Sequence, residues 1–327
     1  MTILVTGAAG FIGAHVCKAL LARGARVVGV DNLNDYYDPQ LKRRRLARLT
    51  EHDGFTFCQC DIAEQETFSS DVLGNPEEIT EILHLAAQAG VRYSMEDPFA
   101  FVKANILGHV TLLEFARRLP KLRHFVYASS SSVYGRNEAM PFRESDRVDH
   151  PGSFYAATKR AGELASDCYQ YLYGIPQTGL RFFTVYGPWG RPDMAYFKFA
   201  EAIMRGESLT LYDGSALARD FTYIDDVVEA VLAVLDAPPD GCAARLLNVG
   251  NSRPTAVRTM VGLLEDALGR KTNIQVMDRP AADVESTWAS IDKIRDIVGW
   301  EPKTDLADGI RRFATWFVEY RETARHG

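Results

Sequence analysis

Tyr155 and Lys159 stand four residues apart in Ser153-Phe154-Tyr155-Ala156-Ala157-Thr158-Lys159, a segment that reads as the start of a helix. At that spacing both side chains lie on one helix face. A tyrosine hydroxyl ordinarily gives up its proton near pH 10. An ammonium beside it favours the phenolate and pulls that value toward neutrality. The pair is therefore a candidate general base at physiological pH. Tyr-x-x-x-Lys alone arises often by chance. Its place in the chain singles it out, because a run of serines, Ser129 to Ser132, and a nucleotide-binding pattern precede it.

The elements that must position this pair begin at the N-terminus. Thr2 to Thr6 is a short apolar run, a buried strand by its length and flanks. Gly7-Ala8-Ala9-Gly10-Phe11-Ile12-Gly13 follows, then a helical pattern from about Ala14 to Arg23 that stops at Gly24. A second strand, Arg26 to Val30, ends in Asp31. Gly7, Gly10 and Gly13 let backbone approach a pyrophosphate whose charge sits at the helix N-terminus. Asp31 is placed to accept hydrogen bonds from an adenine-ribose diol and to repel a 2′-phosphate, which favours NAD over NADP. A tight turn serving structure alone would not need an acid at that offset.

Further strands are expected at Thr56 to Cys60, Leu83 to Ala87 and His124 to Ala128. His84 and His124 should pack in or beside the sheet, since Tyr155 already fills the role of base. The run Lys42-Arg43-Arg44-Arg45 reads as a solvated helix face. The sharper alternative puts one of its cations on a cofactor phosphate. After about residue 180 the alternation of strand and helix loosens. Leu180 to Pro188 reads as a strand breaking into a loop, and Phe197 to Arg205 as a helix. Arg219 to Val227 precedes another helix, with Asp225 or Asp226 as its cap. A strand ends at Asn248-Val249-Gly250, and two more helical patterns follow Thr255. The expected fold is α/β: a Rossmann-type doubly wound parallel sheet over residues 1–180, interleaved with later segments. A smaller C-terminal α/β region, 181–327, serves mainly to bind substrate.

Bulk composition excludes several classes. A chain of 327 residues with 46% hydrophobic content supports a large core. A net charge of −6 offers no basic footprint for nucleic acid. The longest apolar runs read as far short of a membrane span. No charged leader and apolar stretch precede the first strand. Five cysteines without a CxxC pair suggest neither a zinc site nor a disulfide framework. A cytoplasmic protein with no metal is the expectation.

The Gly-x-x-Gly-x-x-Gly spacing resembles the extended branch of the short-chain dehydrogenase/reductase superfamily. That resemblance implies a catalytic triad of Ser130, Tyr155 and Lys159. Ser130 would bond the reacting hydroxyl and Tyr155 would take its proton, the hydride going to a tightly bound NAD. Lys159 would lower the Tyr155 pKa and hold the nicotinamide ribose. The implied cofactor contacts are Gly7, Gly10, Phe11, Ile12, Gly13, Asp31, Asn32, Asn34, Asp61, Ile62, Leu85, Ala86, Ala87, Asn105 and Phe182, with Tyr155 and Lys159. Asn105 has a counterpart that supports the active-site end of its helix. Ser131 and Ser132 would contact substrate. The competing account is that the serine run caps the next helix through Ser129 or Ser132. Sugar-nucleotide 4,6-dehydratases of this branch carry Asp-Glu where this chain has Ser131-Ser132, so elimination of water is disfavoured.

A closer resemblance, over nearly the whole chain, is to UDP-glucuronate 4-epimerases. It rests on Gly187-Pro188-Trp189-Gly190-Arg191-Pro192-Asp193-Met194-Ala195, on Asp31 to Asp38, and on Arg219-Asp220-Phe221-Thr222-Tyr223. It implies that Thr184 and Arg191 hold the C6 carboxylate and that Arg219 holds the UDP diphosphate, with Tyr212 also on the substrate. Arg279 would touch diphosphate and Asp283 the uridine ribose, although Pro280-Ala281-Ala282-Asp283 departs from the Pro-Gly-Asp common in that family. Arg191 as a surface ion pair is the plain alternative. The rival functions are UDP-glucuronate decarboxylation, 4-epimerisation of neutral UDP-sugars, and a non-catalytic NAD sensor. A homodimer is implied, through the helical stretches Leu107–Arg118 and Ala156–Tyr173.

Overall fold

Seven parallel strands make the main sheet: β1 (Thr2–Thr6), β2 (Arg26–Asp31), β3 (Phe55–Gln59), β4 (Ile79–His84), β5 (His124–Ser130), β6 (Gln177–Phe182) and β10 (Arg245–Val249). Their spatial order is β3-β2-β1-β4-β5-β6-β10. The computed structural model describes residues 1–212, 217–240, 244–277 and 286–325. Every residue of β1 and β6 is buried. Helices cover both faces, which is why these strands read as continuous apolar runs rather than alternating ones. The chain order reverses between β1 and β4, opening a crevice beyond their C-terminal ends.

The expected fourth strand differs from the observed one. β4 begins at Ile79 and stops at His84, so Leu85 to Ala87 form the loop after it. Glu81 hid the start of this strand. It is buried within β4, where Arg123 pairs with it. An acid inside a buried strand persists only with such a partner.

Helix α1 (Phe11–Ala22) follows the glycine turn and α2 (Pro39–Thr50) follows the loop after β2. Between β4 and β5 a continuous helix, α3 (Pro98–Ala116), carries a π-helical segment at Val102–Leu107. With 19 residues and mean hydropathy 1.3 it is long and apolar enough to cross a membrane, unlike the shorter runs expected. Half of it is buried, and Phe115 packs on Phe68 at 5.0 Å, as in a core helix. Helix α4 (Phe154–Tyr173) starts at a cap made by Ser153, whose side chain accepts from the Ala156 amide at 3.1 Å.

The later chain builds a smaller layer over the crevice. β7 (Thr184–Tyr186), β9 (Ala218–Tyr223), β11 (Pro254–Ala256) and β13 (Ser286–Thr287) form one sheet, with β9 pairing to the other three. β8 (Leu209–Tyr212) pairs with β12 (Ile274–Met277). Helices α5 (Ala195–Arg205), α6 (Ile224–Leu235), α7 (Val257–Leu268), α8 (Asp292–Val298) and α9 (Leu306–Arg325) flank these strands. Among the described residues, the short α8 makes a third helix after Thr255 where two were expected. An aromatic cluster locks α5 to α9, with Tyr196 on Phe313 at 4.9 Å and Phe197 on Phe317 at 5.2 Å. Neither Asp225 nor Asp226 caps α6. Asp226 is buried and accepts from the Thr304 amide and hydroxyl, tying α6 to the approach of α9.

Candidate active site

A cavity of about 1070 Å³ lies over the C-terminal ends of the sheet strands, roofed by the later chain. That is ample for a dinucleotide and part of a second ligand. Ser130, Tyr155 and Lys159 all line it. So does every other expected site residue among those described, with the exception of Asn105. Arg279 and Asp283 lie outside the described residues.

Ser130 ends β5 and Tyr155 opens α4, and the Ser130 hydroxyl is close enough to oppose the rise of the Tyr155 pKa. Ser130 also accepts from the Ser132 amide at 3.1 Å, so it is the cap of the short turn Ser131–Tyr134. Capping was expected of Ser129 or Ser132. Ser129 instead donates to the buried Glu163 at 2.6 Å. Strand alternation explains the split, since neighbours point to opposite faces.

Lys159 departs from expectation. Its ammonium donates to the Ala128 carbonyl at 2.9 Å. Burial lowers its pKa from 10.5 to about 8, with Glu163 opposing. Burial raises the Tyr155 pKa, the Ser130 hydroxyl and the Arg191 charge oppose the rise, and Asp193 adds to it. On balance the Tyr155 pKa is raised, against the expectation that Lys159 would lower it; the cation opposing the rise is Arg191, and the ammonium of Lys159 is held by the Ala128 carbonyl near the C-terminal end of β5.

At the cofactor end, Gly7 adopts φ +73 and a Cβ there would lie 2.7 Å from the Ala86 amide nitrogen. A Cβ at Gly13 would lie 2.0 Å from the Gly7 carbonyl oxygen. Only glycine lets β1, α1 and the loop after β4 meet this closely. No side chain caps the N-terminus of α1, whose amides face the cavity beside Gly10. Asp31 accepts from the Ala9 amide at 3.1 Å and the Leu33 amide at 2.9 Å. Burial raises its pKa, while those amides and the cations of Lys42 and Arg45 oppose the rise. Asp61 is pushed up by burial but held below its usual range by the Ala63 amide, Lys103 and Asn32. A turn without side chains, a helix N-terminus and an acid beyond the next strand fit a dinucleotide. Asn105 stands behind this wall. Its amide bonds Gln88 in both directions, at 2.8 and 2.9 Å, and donates to Thr158 at 3.0 Å. It clasps α3 to α4 and to the loop after β4. His84 and His124 are core residues as expected, hydrogen-bonded to Thr6 and Thr178, both at 2.8 Å.

The basic run is neither a solvated face nor a phosphate contact at its most buried member. Arg45 is 1% exposed. It donates to the carbonyls of Ala9, Trp189 and Gly190 and to the Tyr37 hydroxyl, at 2.7 to 3.0 Å. It thereby fastens the glycine turn to the loop that carries Arg191. Lys42, also buried, donates to the backbone and side-chain oxygens of Asn34.

At the other end of the cavity, β7 sets Thr184 and β9 sets Arg219 on one small sheet. Arg219 donates to the Ala218 carbonyl at 2.8 Å. Tyr212 ends β8, its ring 5.3 Å from the Arg92 guanidinium. Arg191 is a cavity residue and not a surface one. Its Nε donates to Asp193 at 3.0 Å and its Nη2 to the other oxygen of the same carboxylate. Tyr36 donates to Asp193 at 3.1 Å. Tyr36, Arg92 and Asp193 were missed in the sequence. Asp193 carried one signal, its place two residues after Arg191.

A doubly wound sheet with a glycine turn at its switch point, facing a Ser-Tyr-Lys cluster, defines a nucleotide-dependent enzyme of the short-chain dehydrogenase/reductase type. Within that class, the chain belongs to the NAD dependent epimerase/dehydratase family, which matches residues 3–250. UDP-glucuronate 4-epimerase 4 of Arabidopsis thaliana is 46% identical over 98% of this chain and 76% of its own length. Among solved structures, UDP-glucuronic acid 4-epimerase of Bacillus cereus, in complex with UDP-glucuronic acid and NAD, matches with a TM-score of 0.90. It is 32% identical, covering 98% of this chain and all of that one. UDP-glucose 4-epimerase of Thermotoga maritima, with UDP-glucose, matches at 0.87 and 30% identity over 98% of this chain and all of its own.

Proposed function

We propose that this protein inverts C4 of UDP-glucuronate, giving UDP-galacturonate through a 4-keto intermediate, with tightly bound NAD. The observation that carries this reading is Arg191 in the same cavity as Ser130 and Tyr155. A uronate carboxylate matches a guanidinium edge, and the hydroxymethyl group of a neutral hexose does not.

Tyr155 removes the C4 hydroxyl proton while Ser130 holds that oxygen. The same tyrosine returns the proton after the sugar has presented its other face. Oxidised NAD, when bound, supplies reversible hydride acceptance at C4. Gly7, Gly10, Phe11, Ile12 and Gly13 hold its pyrophosphate, and Asp31 with Asn32 and Asn34 its adenosine ribose side. Asp61, Ile62, Leu85, Ala86, Ala87 and Phe182 enclose the rest, and Lys159 holds the nicotinamide ribose. Ser131, Ser132 and Thr184 contact the sugar, and Tyr212 and Arg219 the nucleotide. Residues 1–180 form the cofactor portion and 181–327 mainly the substrate portion.

The assembly proposed is a homodimer through α3 and α4. Its support is a row of exposed apolar side chains on both helices, Phe99, Val102 and Leu107 with Leu164, Tyr171 and Leu172. The free thiols of Cys17, Cys58, Cys60 and Cys168 suit a reducing compartment, the cytoplasm.

Incubation of the purified protein with UDP-glucuronate and separation of the products tests the reading. UDP-galacturonate is expected, and NAD is expected in the supernatant after denaturation. Tyr155→Phe should slow turnover by at least about 100-fold with NAD still bound. Absence of UDP-galacturonate, or near-native turnover in Tyr155→Phe, overturns it.

A further inference from the structure

A guanidinium has two edges that match a carboxylate, Nε with Nη2 and Nη1 with Nη2. In Arg191 the first is already taken by Asp193, through one bond at 3.0 Å and a second, shorter one. Both side chains are largely buried, and Tyr36 donates at 3.1 Å to the same Asp193 oxygen that accepts from Nη2. Tyr36 belongs to the loop after β2; Asn34 of that loop and Asp31 at the end of β2 line the cofactor end. Burial pushes the Asp193 carboxyl up, but the charge and hydrogen bonds of Arg191, then Tyr36, hold it below its usual range. Asp193 is thus ionised at neutral pH, and the cation that shares the cavity with Tyr155 already has a counter-charge.

We propose that Asp193 is a specificity-determining residue: it takes one edge of Arg191 and offsets its charge, so that the substrate carboxylate binds the remaining edge weakly enough to let go. The proposal rests on UDP-glucuronate being the substrate. The physical need is plain. The sugar must turn over between removal and return of the hydride, and a carboxylate gripped by an unopposed buried cation would not leave. Asp193 sets that grip by repulsion. Two carboxylates on these adjacent edges of one guanidinium stand roughly 7 Å apart. At an effective dielectric of about 20 their repulsion weakens binding by about fifty-fold. A neutral hexose feels no such repulsion, so Asp193 acts on the uronate alone.

The test is calorimetric binding to the NAD-loaded protein, native and substituted, with UDP-glucuronate, UDP-glucose and UDP. Asp193→Asn keeps an acceptor for Nε and removes the charge. It should tighten UDP-glucuronate by about ten- to fifty-fold and leave UDP-glucose and UDP within about twofold. In turnover, KM for UDP-glucuronate and kcat should fall together, because release becomes slow. Asp193→Ser, which lacks charge and bulk, should raise the uronate-to-hexose affinity ratio in the same direction. Asp193→Glu should restore the native ratio. A native preference for UDP-glucuronate with an unchanged ratio in Asp193→Asn and Asp193→Ser overturns this inference alone. An Asp193→Glu protein that behaves like Asp193→Asn does the same. A native protein that binds UDP-glucose as tightly as UDP-glucuronate overturns the substrate reading, and this inference with it.

Discussion

Arg45→Met should cost about 3–5 kcal/mol of stability and loosen both ends of the active site. Arg45 is buried on α2 and its guanidinium bonds three backbone carbonyls and one hydroxyl. Methionine fills much of the space and satisfies none of those groups. Each buried acceptor left without a donor costs about 1–3 kcal/mol, so the carbonyls of Ala9, Trp189 and Gly190 together forfeit roughly 3–9. Relief from burying a cation offsets part of this, which places the net loss near the lower half of that range. The Trp189 backbone adds to the effect. It sits at φ +61, a left-handed conformation costing about 1–2 kcal/mol in a residue with a side chain. Its carbonyl accepts two of the Arg45 bonds, at 2.7 and 3.0 Å. Without them the Trp189–Gly190 peptide is free to relax and Arg191 moves with it. The assay is urea unfolding of the NAD-loaded protein, with binding of UDP-glucuronate measured on the folded variant. The midpoint should fall with the slope unchanged, and the substrate should bind at least about tenfold more weakly. Arg45→Lys should recover only part of either loss, since one ammonium cannot span all four acceptors. A variant within about 1 kcal/mol of native stability, or one that binds substrate normally, refutes the clamp.

Two other outcomes are expected. Arg191→Ala should lower epimerisation and raise the share of turnover ending in CO2, a 4-keto-pentose nucleotide and trapped NADH. Oxidation at C4 makes a β-keto acid, and a fixed, ionic carboxylate resists aligning the C5–C6 bond with the ketone. Product ratios by NMR decide this, and weaker binding without more decarboxylation per turnover would leave Arg191 a binding residue only. Burial lowers Lys159 from 10.5 to about 8, so between those pH values the unfolded chain holds more protons than the folded one. Its contribution therefore makes the NAD-free protein more stable as pH rises through that window, by up to roughly 3 kcal/mol. Thermal unfolding of native and Lys159→Met proteins at both ends of the window should show this rise in the native protein only. Parallel pH profiles would contradict it.

The glycine turn, Asp31, the serine run and the Tyr155-Lys159 pair were legible because each is local. A strand, a turn and a helix face are set by neighbours in the chain, and their spacing is visible in the residues themselves. The same holds for β1, β2 and β5, whose apolar runs need no distant partner to be recognised. β4 was blurred because Glu81 is acceptable in a buried strand only with Arg123 across from it, and nothing in the local pattern announces that pairing.

Long-range packing decided the rest. Lys42 to Arg45 reads the same whether α2 faces water or the chain some 145 residues on. The fold lays α2 against the Trp189–Gly190 loop, and burial turns a charge run into a clamp. Lys159 lies on the predicted helix face, yet its ammonium goes to β5, because the Ala128 carbonyl near the C-terminal end of that strand is within reach. Arg191 enters the same cavity as Tyr155, and Asp193 and Tyr36 then tune it. Sequence spacing specifies which side chains share a face. Which charge ends up against which depends on the contacts of other elements, and in a buried cavity those contacts set the electrostatics on which the chemistry depends.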